Sequence, residues 1–302
     1  MNKSEKILIT GAHGQLGTDV ASVVKTPGRA IACYGREDLD ITDKGAVFSV
    51  MEKEAPSIII NTAAYTKVDL AEKEREKAFA VNCEGAKNLA LASSATGAVL
   101  IHISTDFVFD GTKTTPYKEE DKTAPLGVYG QSKLAGEEAV RESCPPHIII
   151  RTSWLYGAHG PNFVKTIMRL AGEQETLRVV SDQIGTPTWT VDLAGVITQM
   201  IEGLSGKGPQ APPFGLYHYS NEGTASWYDF ALAIVEEARG MGMKLKCGTV
   251  EPIPTSAYPT PAARPAYSVL DTTKIKKTLN VSMPHWRTSL INMLKKLREE
   301  RG

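Results

Sequence analysis

The sequence predicts an α/β protein built on a doubly wound parallel sheet, followed by a smaller C-terminal lobe. Three observations lead there. Short apolar runs recur through the first half, at 6–10, 30–34, 57–61, 98–104 and 147–153, and their apolarity is continuous, which suits strands covered on both faces. Stretches of helical spacing lie between them, at 14–25, 42–54, 68–96 and 128–143, and such alternation gives parallel strands with right-handed crossovers. After about residue 155 the texture changes. Proline and glycine cluster at 206–215 and 252–265, which are loop signals, while 178–181, 227–240 and 286–300 keep apolar patterns that still need a core. A first domain is expected over 1–155, with some later segments returning to it, and 156–302 is expected to be mainly a second lobe.

Composition narrows the class. A chain of 302 residues can bury a core without staples. Lysine plus arginine equals aspartate plus glutamate, 34 against 34, so no broad attraction to nucleic acid or acidic membrane is expected. Cys33, Cys83, Cys144 and Cys247 lie far apart and form no CxxC pair, so they read as buried thiols in a reducing compartment, and no metal site is expected. The leading MNKSEK enters a strand directly and lacks the apolar stretch of about 7–15 residues of a signal peptide. No segment reaches the roughly 20 apolar residues of a membrane span. A cytoplasmic protein is expected.

The first strand ends in Thr10-Gly11-Ala12-His13-Gly14-Gln15-Leu16-Gly17, and a helix follows. This is the context of a dinucleotide fingerprint, and it makes the first domain Rossmann-type. Gly11 permits the tight turn, Gly14 lets backbone amides approach a pyrophosphate, and Gly17 allows close packing of helix on strand. Gln15 and Leu16, between them, join the cofactor-binding set. An acid after the second strand would hold an adenosine ribose, whereas an arginine favours a 2′-phosphate. The sequence offers Arg36 there, which tilts the reading toward NADPH over NADH, the alternative being a solvated surface charge.

Tyr129 and Lys133 stand four apart at the start of a predicted helix, so they share one face. A free phenol has a pKa near 10; a nearby ammonium stabilises the phenolate and brings it closer to the working pH. Tyr129 can then protonate a carbonyl oxygen as hydride arrives, with Lys133 lowering its pKa and hydrogen-bonding the nicotinamide ribose. The fourth strand ends in Ser104-Thr105-Asp106 and the third in Asn61-Thr62-Ala63-Ala64-Tyr65. Ligands of doubly wound sheets sit at such carboxyl ends. Thr105 can donate to a developing alkoxide, and the small residues let a nicotinamide nucleotide pass over the backbone.

On these residues, with LDITD (39–43), STDFVFDG (104–111), PLGVYGQSKLAGE (125–137), RTSWLYG (151–157), NFV (162–164), SDQIGTPT (181–188) and ARPAYSVLD (263–271), the chain resembles the extended short-chain dehydrogenase/reductase superfamily. Within it, the chain is similar to the dTDP-4-dehydrorhamnose reductase family. The resemblance implies that Asp40 and Ile41 border the adenine, that Ala63, Ala64 and Tyr65 line the cofactor, and that Thr105, Tyr129 and Lys133 form the catalytic triad. It implies that Thr105 and Asp106 touch the sugar and that Trp154 packs in the substrate site. Arg264 is given either to the nucleotide diphosphate or to a structural salt bridge, and Asp182 and Gln183 either to substrate or to ordering a loop. Related 4,6-dehydratases carry two acids directly after the threonine; here Asp106 is followed by Phe107, which argues for simple carbonyl reduction. The expected activity is NAD(P)H-dependent reduction of the C4 keto group of a nucleotide-linked deoxysugar. The rivals are a sugar-nucleotide epimerase and a non-catalytic NADP-binding regulatory subunit, and a homodimer stays open.

Overall fold

A computed structural model describes residues 6–206, 208 and 211–299. The leading residues 1–5, residues 207, 209 and 210 of the proline- and glycine-rich turn, and residues 300–302 lie outside the described residues. The first half runs β1 (Lys6–Thr10), α1 (Gln15–Val23), β2 (Ala30–Tyr34), α2 (Lys44–Glu54) and β3 (Ile58–Asn61). It continues through α3 (Val68–Ala71), α4 (Arg75–Phe79), a π-turn (Ala80–Gly85), α5 (Ala86–Thr96), β4 (Val99–Thr105), α6 (Val128–Ser143) and β5 (His147–Thr152). The second half contributes β6 (Leu155–Tyr156), α7 (Phe163–Glu173), β7 (Thr176–Val180), β8 (Ile184–Gly185), β9 (Thr188–Trp189) and α8 (Thr190–Leu204). It ends with β10 (Gly215–Tyr219), β11 (Ala225–Ser226), α9 (Trp227–Gly240), β12 (Thr249–Ile253), α10 (Thr273–Leu279) and α11 (Trp286–Glu299).

Six parallel strands form the central sheet in the order β2-β1-β3-β4-β5-β10. Alternate side chains of each strand feed opposite layers. Ile7, Ile9, Ile101 and Ile150 pack with Val20, Leu193 and Ile197 of α1 and α8, while Leu8, Ile59 and Leu100 pack with Met51, Leu89 and Val140 of α2, α5 and α6. The sheet is thus Rossmann-like, covered on both faces. A second core under Phe230, Ile234, Trp286 and Leu290 holds α7, α9 and α11 together with β7 and β12. The chain re-enters the sheet after residue 155: α8 covers one face, and β10 supplies an edge strand against β5. No helix among the described residues is long and apolar enough to cross a membrane.

Three local expectations change. The run at 30–34 reads as a doubly covered strand, but β2 lies at the sheet edge and is only half buried. Its Cys33 is exposed and Cys83 half-buried, whereas Cys144 and Cys247 are buried as expected. The stretch 68–96 is not one helix. The π-turn at 80–85 inserts a residue and shifts the helical phase. That places Gly85, where a Cβ would stand 2.7 Å from Ile41 Cδ1, against the β2–α2 connection, and turns Asn82 inward.

Candidate active site

Strand order reverses at β1, whose neighbours are β2 on one side and β3 on the other. The loops that follow β1 and β3 therefore diverge, and a cleft at the carboxyl edge results. A cavity of about 600 Å³ opens there, lined by Gly11, Gly14, Arg36, Asp40, Ile41, Ala63, Ala64 and Tyr65 among others. The glycines explain its shape. Gly11 has φ +68°, and a Cβ on it would lie 2.5 Å from the Ala63 nitrogen, so the two loops touch backbone to backbone. At Gly17 a Cβ would lie 2.2 Å from the Gly11 oxygen, so α1 is pressed onto the turn. Gly14 is the N-cap of α1, and no side chain caps that first turn. Its amides and the helix dipole are therefore available to an anion, which is a cradle suited to a pyrophosphate.

The remaining cofactor candidates divide. Leu16 is buried in the sheet core, so only its amide can serve a ligand. Gln15 Nε2 donates to the Leu155 carbonyl at 3.2 Å and its Oε1 accepts from Asn162 Nδ2 at 2.8 Å, so its side chain joins α1 to the second lobe. Arg36 is exposed on the cavity rim. The Asp40 carboxyl is held below its usual range by the Thr42 amide and hydroxyl first, and by Arg36 last. Ile41 is buried and forms part of the cavity wall. The Tyr65 hydroxyl donates to Glu74 at 2.9 Å.

Thr105 closes β4, and Tyr129 and Lys133 occupy the first turns of α6. Gly130 brings them together: a Cβ there would sit 2.2 Å from the Phe107 oxygen, so α6 lies directly on the chain leaving β4. Phe107 meets the Tyr129 ring edge-on at 5.5 Å. Burial pushes the Tyr129 phenol up to about 12, with the Thr105 hydroxyl opposing and the Asp106 carboxylate adding to the rise. Burial also lowers Lys133 to about 8, with Glu137 opposing, and its Nζ donates to the Ile103 carbonyl at 2.6 Å. In the folded chain burial dominates the Tyr129 phenol, and the Lys133 ammonium is turned to the sheet backbone.

The predicted substrate residues have distinct settings. Asp106 is buried, with its Oδ1 accepting from Thr105 at 3.1 Å. Trp154 holds φ +45°, an outlier for so bulky a side chain. It is clamped between Gly185, where a Cβ would come within 2.5 Å of the ring, and Trp227, stacked at 3.5 Å. Arg264 makes a two-pronged bond to Asp69, at 3.0 and 2.7 Å, which is the salt-bridge alternative. Asp182 accepts from the Thr255 amide and hydroxyl, and Gln183 donates to the same hydroxyl at 3.0 Å, so both order a loop.

Several positioning residues escaped the sequence reading. Asn82 accepts from the Tyr65 amide at 2.8 Å and donates to Ser132 on α6 at 2.9 Å, locking the β3 loop to the catalytic helix. Glu72 accepts from the Val128 amide at 2.8 Å and caps α6. Glu137 accepts from Ser104 at 2.6 Å and from Nε and Nη2 along one edge of the Arg151 guanidinium at 2.8 and 2.7 Å. An arginine at the end of the apolar run of β5 is a readable signal, because a buried charge needs a partner.

The model of the RmlD substrate binding domain matches residues 5–299. A dTDP-4-dehydrorhamnose reductase of Aggregatibacter actinomycetemcomitans is 44% identical over 95% of this chain and 98% of its own. One from Escherichia coli is 42% identical over 96% and 97%. A solved dTDP-4-dehydrorhamnose reductase of Bacillus anthracis, in complex with NADP, superimposes with a TM-score of 0.89 at 41% identity, covering 97% of this chain and 99% of that one. A UDP-glucose 4-epimerase of Thermus thermophilus, at TM-score 0.80 and 20% identity, is alike in fold alone.

Proposed function

From the premise that this chain belongs to the RmlD substrate binding domain family, that of the dTDP-4-dehydrorhamnose reductases, we propose that it reduces the C4 keto group of dTDP-4-dehydro-L-rhamnose to give dTDP-L-rhamnose. One observation carries the reading. Thr105 at the end of β4 bonds the Tyr129 side chain on the first turn of α6, one turn before Lys133, with Asp106 the single acid directly after the threonine. A reduced nicotinamide dinucleotide, when bound, supplies the hydride to C4. Gly11 and Gly14, with the amides of the first turn of α1, would hold its pyrophosphate. Tyr129 donates its proton to the C4 oxygen, so that a C–H and an O–H bond form as the C=O double bond becomes single. Lys133 keeps two N–H donors beyond the one given to Ile103, and these would hold the nicotinamide ribose. The lone carboxylate favours this reading over dehydration. A regulatory subunit would not need the intact triad.

The test is oxidation of NADPH and NADH followed by absorbance, with dTDP-4-dehydro-L-rhamnose made in situ. Catalytic loss of cofactor absorbance in proportion to substrate is expected; no turnover would favour the regulatory subunit, and a tightly retained NAD the epimerase. The reading places the enzyme in the cytoplasm, and light scattering would establish whether a homodimer forms.

Two binding predictions belong here. Because Arg36 stands on the cavity rim beyond β2, NADPH should bind at least as tightly as NADH in fluorescence titrations. A clear preference for NADH removes the role given to Arg36. Gly14→Val should abolish cofactor binding and leave the fold intact. A Cβ at Gly14 meets only the Gly11 oxygen, at 3.1 Å, and the rest of the side chain enters the space assigned to the pyrophosphate. Normal binding by that variant would mean the glycine loop is misassigned.

A further inference from the structure

Thr105 has one hydroxyl hydrogen and two acceptors that can use it. In the folded chain its Oγ1 donates to Asp106 Oδ1 at 3.1 Å and accepts from the Phe107 amide at 3.2 Å. The second claimant is the Tyr129 oxygen, which a bond from Thr105 stabilises as a phenolate. A hydroxyl donates once. Bonds to an ionised acceptor are about twice as strong as those between neutral groups, so an ionised Asp106 takes the hydrogen from a neutral phenol.

Asp106 is placed to act on Tyr129 in a second way. It is 1% exposed, and its Oδ2 makes no hydrogen bond. The groups that face it are Thr105, the Phe107 amide, Ser268 from the stretch after β12, and Tyr129 from α6. None of these carries a positive charge. Lys133, one turn along α6, points one N–H at the Ile103 carbonyl and is not among the groups that act on the Asp106 carboxyl. The field of the carboxylate is therefore not cancelled locally and falls on the phenol.

We propose that Asp106 is a positioning residue for the reduction: it occupies the Thr105 hydrogen and sets a negative charge beside Tyr129, so that the phenol keeps its proton until the keto oxygen accepts it. Both effects have the same sign. The proposal rests on the reading of Tyr129 as the proton donor.

The test is the ionisation of Tyr129 itself, read by 13C NMR of ring-labelled tyrosine in the protein without cofactor, the resonance being assigned by its loss in Tyr129→Phe. At about pH 10.5, where a free phenol is mostly ionised, the wild-type resonance should remain that of a phenol. In Asp106→Asn the midpoint should fall by about one unit, a tenfold change in the ionisation constant; an unchanged midpoint overturns the proposal. Thr105→Val separates the two effects. It should move the midpoint little in the wild-type background, where Asp106 already holds the hydrogen, and raise it in Asp106→Asn, where the hydrogen is free for the phenolate. Equal shifts in both backgrounds overturn the shared hydrogen. If circular dichroism shows Asp106→Asn unfolded, Asp106→Ser removes the same charge and should give the same fall. The titration needs no turnover, so its failure leaves the reductase reading intact, whereas full activity in Tyr129→Phe defeats that reading and leaves the titration unaffected.

Discussion

Tyr129→Phe is expected to lower kcat by about 10²–10⁴-fold, the usual worth of a positioned general acid, with little change in NADPH affinity. The substitution removes one oxygen and leaves the ring packed edge-on against Phe107 at 5.5 Å. The α6 turn is unaffected, because Ser132 Oγ bonds the Tyr129 backbone carbonyl and not its hydroxyl. Besides the transferable proton, the variant removes only the hydroxyl's bond with Thr105. Lys133→Met should differ in kind. Its ammonium is buried and bonded to the Ile103 carbonyl at 2.6 Å, and its remaining donors are assigned to the nicotinamide ribose, so cofactor affinity and kcat should both fall. Methionine fills similar volume without a buried charge, so the fold should hold. Single-turnover absorbance measurements with each variant, beside fluorescence titration of NADPH, separate the two patterns. Near wild-type kcat in Tyr129→Phe would mean that the hydroxyl is not the acid.

Much of this site could be read from the chain because its parts are local. A glycine triplet between a strand and a helix, and a tyrosine four before a lysine, carry their geometry within a few residues. The three strand ends that meet at the cleft are likewise set by their own apolar runs, and the register that aligns Thr10 with Asn61 and Asn61 with His102 follows from parallel pairing. What could not be read depends on partners remote in sequence. Arg264 finds Asp69 across 195 residues, and Asp182 finds Thr255 across 73. In each case the sequence leaves two roles open, and a hydrogen-bond partner occupies the side chain in the structure. The exposure of Cys33 depends on β2 being an edge strand, which its own apolar run does not encode. The direction of the Lys133 ammonium is not encoded locally for a related reason. Spacing places its side chain on the Tyr129 face, but burial and a free backbone carbonyl decide where the ammonium points.

The second large effect is expected in stability, at the buried pair that joins α6 to β5. Glu137 is 0% exposed and Arg151 is 2% exposed. The Glu137 carboxylate accepts from Nε and Nη2 on one edge of Arg151, with the Phe109 ring against its guanidinium at 5.1 Å. Burial and the guanidinium push His218 down to about 3, so its ring is neutral near pH 7. Its Nδ1 lies 3.0 Å from the Tyr117 carbonyl, which calls for a donated N–H there, and Nε2 is left to accept from Arg151 at 3.5 Å. Glu137→Gln therefore strands a buried cation that no neutral neighbour can balance, and should cost about 3–5 kcal/mol in denaturant unfolding. Adding Arg151→Met removes the stranded charge and should recover part of that loss, because an apolar replacement of a buried pair is often neutral or better. Ser104, Glu137 and Arg151 precede or follow Thr105, Lys133 and Trp154 on β4, α6 and the chain leaving β5. The double variant should therefore regain stability more fully than kcat. A double variant no more stable than Glu137→Gln would show that the pair is not held together by its charges.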